Sequence, residues 1–309
     1  MNNSDASFYS FNGIVIIFFI VAAYLLVSFL LIGYNTDQLV LSVIFCTGYF
    51  ASAISRKFMI AFVIFIVYWI IFDYMKAFPN YAYSPVSILR LHQAELSIFG
   101  IHQNGIVVTP NEFWFNHSTT FLDILSGIFY LCWIPLPLAF AAGLFFKDKK
   151  TFLQFSLTFL LVNLIGFVIY YIYPAAPPWY FQKYGSAFFA NTPGNSAGLQ
   201  RFDDYFDVGI FKSIYAKSSN VFAAMPSLHV AYPMIVLYYG IKKKMGWINA
   251  LFALVMAGIW FAAIYTGHHY VLDVVAGIAC AIAGIFIFKK LILPAQPVQR
   301  FLQYYLSKI

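Results

Sequence analysis

A chain of 309 residues that is 62% hydrophobic and only 9% charged is neither an ordinary soluble domain nor a disordered one. Its net charge of +7 does not mark a nucleic-acid binder, because the basic residues come in short clusters between apolar runs, the pattern that membrane topology produces. The length would hold two soluble domains, but the recurring apolar runs make a single all-α, polytopic membrane helix bundle the expected architecture.

In chain order, about eight runs have a length near that of a bilayer span: 13–32, 37–54, 58–75, 121–146, 151–173, 223–242, 247–265 and 270–290. The first lacks a basic leader and a small-residue cleavage site, so it is expected to be a retained helix rather than a secretory signal. In the sixth, Pro226 falls near the helix start, where proline is tolerated, and Pro233 is expected to kink the helix. Cys46, Cys132 and Cys280 all fall in these runs. An odd, scattered trio has neither disulfide nor metal-ligand spacing and is read as small packing residues.

The loops give an orientation. With the N-terminus in the cytoplasm, the inner segments carry Arg56, Lys57, Lys147, Lys149, Lys150, Lys242, Lys243, Lys244, Lys289, Lys290, Arg300 and Lys308, against the acids Asp5 and Asp148. The other side keeps Lys76, Arg90, Lys183, Arg201, Lys212 and Lys217 together with the remaining acids. The basic clusters therefore obey the positive-inside rule in one orientation. The expected organisation is an N-terminal hairpin at 1–57, a six-helix catalytic domain at 58–290 with outer loops 76–120 and 174–222, and a cytoplasmic tail at 291–309. Both outer loops exceed ordinary connections, and long ordered loops are often functional. Segment 88–101 sets Ile88, Leu89, Leu91, Ala94, Leu96, Ile98 and Phe99 among polar residues, as an amphipathic helix in the outer interface would.

The chemistry concentrates on that same side. In Gly267-His268-His269-Tyr270-Val271-Leu272-Asp273, His269 and Asp273 are four residues apart and share one helix face. A carboxylate there would hold one imidazole nitrogen and free the other as nucleophile or base. Pro226-Ser227-Leu228-His229 places a second histidine at the outer start of another run. One histidine could then attack phosphorus while its partner protonates the leaving oxygen. Ionisable residues at membrane helices are costly, so they are functional candidates. A metal site formed by His229, His269 and Asp273 is the chemical alternative. His92, His102 and His117 are read as ordinary interfacial residues, and His268 is equally a cap or a head-group contact.

Pro226-Ser227-Leu228-His229 followed by His269-x-x-x-Asp273 resembles the second and third motifs of the type 2 phosphatidic acid phosphatase superfamily. Further stretches are similar to its branch of fungal-type inositol phosphorylceramide synthases. They are Leu91-His92-Gln93-Ala94-Glu95-Leu96-Ser97-Ile98-Phe99-Gly100, Phe121-Leu122-Asp123-Ile124-Leu125, Trp133-Ile134-Pro135-Leu136-Pro137-Leu138 and Tyr173-Pro174-Ala175-Ala176-Pro177-Pro178-Trp179-Tyr180. The resemblance covers about 88–290. It implies a six-helix catalytic bundle and phosphoryl transfer through a phosphohistidine, with no metal and no cofactor. By motif, His269 would be the nucleophile, Asp273 its orienter, and His229 the general acid and then base. Ser227 would donate to the phosphoryl oxygens, and His268 is kept as a substrate-binding candidate toward the head group. The phosphatases' Ser-Arg pair is replaced here by Ala262 and Ala263, and their Lys-x6-Arg-Pro motif by the Tyr-Pro-Ala-Ala-Pro-Pro segment. Positive charge must then come from elsewhere; Arg201 and Lys183 are the candidates chosen among Lys183, Arg201, Lys212, Lys217 and Arg90.

The expected activity is transfer of a phospholipid head group, phosphoinositol from phosphatidylinositol, to a ceramide-like acceptor. The expected partners are those two lipids and the membrane, with no nucleic acid. A lipid phosphate phosphatase on the same fold and a proton-coupled transporter are the alternatives. The transporter would call for charges buried mid-span and repeated halves, and neither is visible. The expected location is a bacterial inner membrane with the site on the periplasmic face; a luminal site would fit the same topology.

Overall fold

The computed structural model describes residues 11–217 and 220–309, so Asp5 of the inner charge tally lies outside the described residues. The chain divides into two compact units, one up to Phe78 together with Arg300–Ile309 and the other Pro79–Gln299. In the first, α1 (Phe11–Ile32), α2 (Thr36–Ala51) and α3 (Ala53–Tyr74) follow one another through tight, capped connections. Asn35 accepts from the Asp37 N–H and Ser52 from the Ser55 N–H, supplying acceptors to helix starts that have none of their own. Ser28 Oγ and Tyr74 OH lie 2.9 Å apart, a hydroxyl pair that spares both from facing apolar surroundings alone. The expected third span lies in α3, within this unit.

The second unit opens with α4 (Leu89–Phe99), an antiparallel pair β1 (Ile101–Gln103) and β2 (Ile106–Val108), and α5 (Pro110–Asn116). The hairpin was not expected, although Asn104 and Gly105, both at positive φ, are the residues a two-residue hairpin turn favours. Next come α6 (Thr120–Leu131), α7 (Pro135–Lys147) and α8 (Lys149–Ile172). The outer segment holds α9 (Pro178–Tyr184), α10 (Gln200–Phe206) and α11 (Ile210–Ala216), followed by α12 (Leu228–Lys242), α13 (Ile248–Tyr265) and α14 (Val271–Ile287).

Among the described residues six helical stretches are long and apolar enough to cross a bilayer: Phe11–Ile32, Ala53–Ala77, Thr120–Lys147, Lys149–Ile172, Ile248–Tyr265 and Val271–Ile292. Two of the eight expected spans are shorter helices, α2 with 16 residues and α12 with 15. α12 starts late because 223–227 is committed elsewhere: Ala224 N bonds to Ala175 O and Ser227 N to Asp273 O. The expected span 121–146 is two helices: Pro135 and Pro137 have no N–H to give to Leu131 and Trp133, which interrupts the hydrogen-bond ladder while Ile134 keeps a right-handed helical backbone.

α8 is the most enclosed helix and packs on α7, α12 and α14, while α12 also meets α13 and α14. His229, in the first turn of α12, thus starts at the centre of the bundle. The approach of α12 to α14 is set by one missing side chain: a Cβ on Gly277 would lie 2.2 Å from the Ser227 carbonyl oxygen. Gly277→Ala is expected to force the helices apart, an overpacking cost of about 1–3 kcal/mol. Its thermal midpoint in detergent should fall by several degrees with loss of turnover. Gly143→Ala, where a Cβ meets nothing within 4 Å, should leave the midpoint unchanged or slightly raised.

Candidate active site

The site is built on the turn between α13 and α14. α13 ends at Tyr265, and Gly267 takes φ +74°, the left-handed conformation that closes helices at least cost without a Cβ. The reversal folds both histidine amides back on one carbonyl: His268 N and His269 N lie 3.2 and 3.0 Å from Ala263 O. Three outside groups hold the turn. Asn111 Nδ2 donates to the carbonyls of Ile264 (2.7 Å) and His269 (2.8 Å). The Gly198 amide donates to Thr266 O at 2.8 Å, and the Trp179 amide, from the Ala-Pro-Pro-Trp segment, donates to Gly267 O at 3.0 Å.

Two carboxylates meet the start of α14. Asp273 Oδ2 accepts from the Tyr270 N–H at 2.9 Å. Glu95, fully buried on α4, accepts from Val271 N at 2.9 Å and Leu272 N at 3.1 Å. A negative charge at a helix N-terminus satisfies amides that have no partner within the helix and complements its dipole. Burial nevertheless pushes the Glu95 carboxyl up to about 7, against the lowering effect of those two amides. His92, one turn before Glu95, stacks on Phe181 at 3.7 Å and reaches Tyr270 OH at 3.3 Å, so α4 clamps this segment with two side chains.

These contacts bring the expected residues together. His229 Nδ1 lies 3.2 Å from His269 Nε2, and His269 Nδ1 lies 3.6 Å from Asp273 Oδ2. Tyr130 OH stands 3.4 Å from the same His229 nitrogen and takes a hydrogen bond from Tyr215 OH, while Trp133 packs edge-on to the His229 ring at 4.3 Å. His268 Nδ1 is 3.0 Å from Thr266 Oγ1, whose own hydrogen goes to Ala262 O, so the imidazole is the donor and Nε2 carries the lone pair in the neutral ring. Burial holds His269 down at about 4 and His268 well below the ordinary range, the latter also repelled by His269 and His229. Ser227 Oγ, His268 Nε2, His269 Nδ1, Asp273 Oδ1 and Arg201 Nη2 are all buried without a hydrogen-bond partner. Buried polar atoms are normally satisfied; His269 Nδ1 faces the Asp273 carboxylate, which leaves Ser227 Oγ and Arg201 Nη2 as the groups open to a ligand. Among the described residues no group of three or more His, Cys, Asp and Glu side chains is placed to hold a metal ion.

The two cationic candidates gather beside this cluster. Arg201 Nε is tied to Asp123 Oδ1 at 2.6 Å, the same oxygen that accepts from Tyr265 OH at 2.8 Å. Asp123 of the Phe-Leu-Asp-Ile-Leu stretch thus orients this arginine. Arg201 and the exposed Lys183 line a cavity of about 290 Å³ whose wall includes Asn111, Thr266 and Gly267. Neither His229 nor His269 lines that cavity, and Arg90, Lys212 and Lys217 are exposed side chains outside it. Ala262 and Ala263 are fully buried in the apolar cluster of Tyr130, Leu199, Phe202 and Val230, which has no room for a serine and an arginine. His102 and His117 are exposed, the latter bonded to Phe113 O. Glu95, Asn111, Tyr130 and Trp133 were not singled out from sequence. Glu95 and Trp133 lie in stretches that carry the family resemblance, and Glu95 is also an acid on the segment 88–101.

The PAP2 superfamily profile matches residues 102–287. A phosphoinositol dihydroceramide synthase from Bacteroides thetaiotaomicron is 47% identical over 272 residues, 87% of this chain and 89% of that protein. The inositol phosphorylceramide synthase catalytic subunit AUR1 of Saccharomyces cerevisiae is 28% identical over 65% of this chain, and the inositol phosphorylceramide synthase of Candida albicans 26% over 66%. The chain spans 49% and 42% of those two fungal proteins. No solved structure matches it significantly.

With its pKa held near 4, His269 is neutral, the form that can act as a nucleophile, from about pH 5 upward. The acid limb of kcat/KM for a labelled phospholipid donor should therefore fall below about pH 5; a limb at about 6.5 or above would contradict this placement. Glu95→Ala leaves the Val271 and Leu272 amides buried and unpaired, a cost of about 1–3 kcal/mol. Both thermal midpoint and kcat should drop, with partial recovery in Glu95→Gln, which keeps one acceptor oxygen.

Proposed function

The chain belongs to the PAP2 superfamily, and on that premise we propose that it is an integral-membrane head-group transferase moving phosphoinositol from phosphatidylinositol to a ceramide-like acceptor. The observation that carries the chemistry is the His229–His269 contact of 3.2 Å, with Asp273 behind His269. With Nδ1–H turned to the Asp273 carboxylate, His269 presents its Nε2 lone pair. Nε2 attacks the donor phosphorus, the bond from phosphorus to the diacylglycerol oxygen breaks, and His229 gives that oxygen its proton. The phosphoinositol is then held on His269 as a phosphoramidate. His229 next takes the proton of the acceptor's hydroxyl, whose oxygen attacks phosphorus while the N–P bond breaks, returning both histidines to their starting states.

The partners of the dyad fit these roles. Tyr130 and Trp133 hold the His229 ring from two sides. The unpartnered Ser227 Oγ can donate to a phosphoryl oxygen, whereas His268 Nε2, a lone pair in the tautomer that Thr266 sets, can accept only from a hydroxyl. Burial of the cluster strengthens each charge interaction and limits water as a competing acceptor, which favours transfer over hydrolysis. The names of the bacterial and fungal relatives support the choice of donor and acceptor class. The distribution of basic clusters supports cytoplasmic termini and a periplasmic or luminal site, with a bacterial inner membrane as the setting.

Purified protein in detergent, given labelled phosphatidylinositol with and without ceramide and with chelator throughout, tests the reading. Ceramide-dependent formation of inositol phosphorylceramide, abolished in His269→Ala, is the expected result. Release of inositol phosphate or phosphate without an acceptor would assign a hydrolase, and no turnover of this donor would overturn the head-group assignment.

A further inference from the structure

The cavity beside the catalytic turn presents donors, an acceptor and an aromatic wall together. Asn111 is buried, spends Nδ2 on two backbone carbonyls and keeps Oδ1 unpartnered. Asn195 spends Oδ1 on the Ala197 N–H at 2.7 Å, which leaves its amide NH₂ to donate. Gln182 adds a donor and an acceptor, and Arg201 Nη2 and Lys183 bring positive charge with no carboxylate in the lining. Trp179 gives a flat apolar face. Bare phosphate has use for donors alone. An unpaired amide oxygen and an aromatic wall instead suit a ring of hydroxyls, which both donates and accepts and offers C–H faces to pack.

We propose that this cavity is the head-group subsite: it takes the cyclic polyol of the donor, with its hydroxyls on Gln182, Asn195, Asn111 and the cationic ends of Arg201 and Lys183, while the phosphate stays on the His269 side of the shared Thr266–Gly267 wall. The inference rests on the transferase reading of the adjoining histidines. The subsite shares the Thr266–Gly267 wall with the catalytic turn, and Asn111 bonds both the turn and the ligand. Head-group choice is therefore made here, separately from the acceptor: a site that pairs hydroxyls discriminates against donors lacking them, because its own polar groups are then left unpaired.

The test uses the full chain in detergent, with Gln182→Leu and Lys183→Met, whose side chains are exposed and tolerate substitution. Each should raise KM for phosphatidylinositol at least tenfold, leave KM for ceramide within about twofold, and narrow the preference for phosphatidylinositol over phosphatidylglycerol. In parallel, thermal protection of the unmodified protein is measured with inositol 1-phosphate, free inositol and inorganic phosphate. Protection by inositol 1-phosphate that is lost in Gln182→Leu is expected. Equal protection by inorganic phosphate would reduce the cavity to an anion site and overturn the polyol assignment. Protection without any change in donor KM would mean that the cavity holds free polyol phosphate and not the lipid head group. Absence of protection with unchanged donor KM would overturn the subsite while transfer stands. Protection without ceramide-dependent transfer would instead remove the transferase reading and keep the polyol site.

Discussion

The site depends on one backbone contact: the Ser227 amide donates to the Asp273 carbonyl at 3.0 Å, over a glycine with no Cβ to keep the strands of chain apart. Across that contact the first turn of α12 carries His229 and the first turn of α14 carries Asp273, so the residues proposed as acid, orienter and nucleophile come together at the same end of the bundle. A side chain at 277 would move His229 away from His269 before it changed any catalytic group. The dyad is therefore a consequence of packing, and its 3.2 Å separation is as sensitive to a methyl group as to a charge.

A second principle is complete pairing of the backbone around incompletely paired side chains. The carbonyls of Ile264, Thr266, Gly267 and His269 all find outside donors, and the first amides of α14 find two carboxylates. The side-chain atoms left without a hydrogen bond, Ser227 Oγ, His268 Nε2, His269 Nδ1 and Arg201 Nη2, surround the turn that this framework holds still. Preorganised polar groups in a water-poor site act more strongly than the same groups in solution. The donors come from α5, α9 and the 197–199 turn and the acceptor Glu95 from α4, which gives the long outer segments their purpose.

The positive charge has moved relative to the phosphatase pattern. Where that pattern has serine and arginine on the helix before the nucleophile, Ala262 and Ala263 close the apolar core. The arginine near the turn is Arg201, brought in on α10 of the outer segment, bonded to Asp123 and lying over the Tyr265 ring. Its guanidinium faces the flanking cavity, so charge is available to a head group as well as to a phosphoryl group.

The sequence by itself determined the helical class, the membrane-length runs and the sharing of one helix face by His269 and Asp273, because hydrophobic period and i,i+4 spacing are local properties. It also carried the motif that pointed to His229. Only the tertiary structure decided that α12 begins at Leu228, that Pro135 divides one apolar run into two helices, and that Arg201 and Lys183 belong to a cavity wall. It alone found Glu95 and Asn111, whose partners lie more than 150 residues away in the chain. A buried acid or amide reads the same in sequence whichever orphaned backbone group it serves. Its role is set by which amides and carbonyls the packing leaves unpaired, and that is known only once the helices have met.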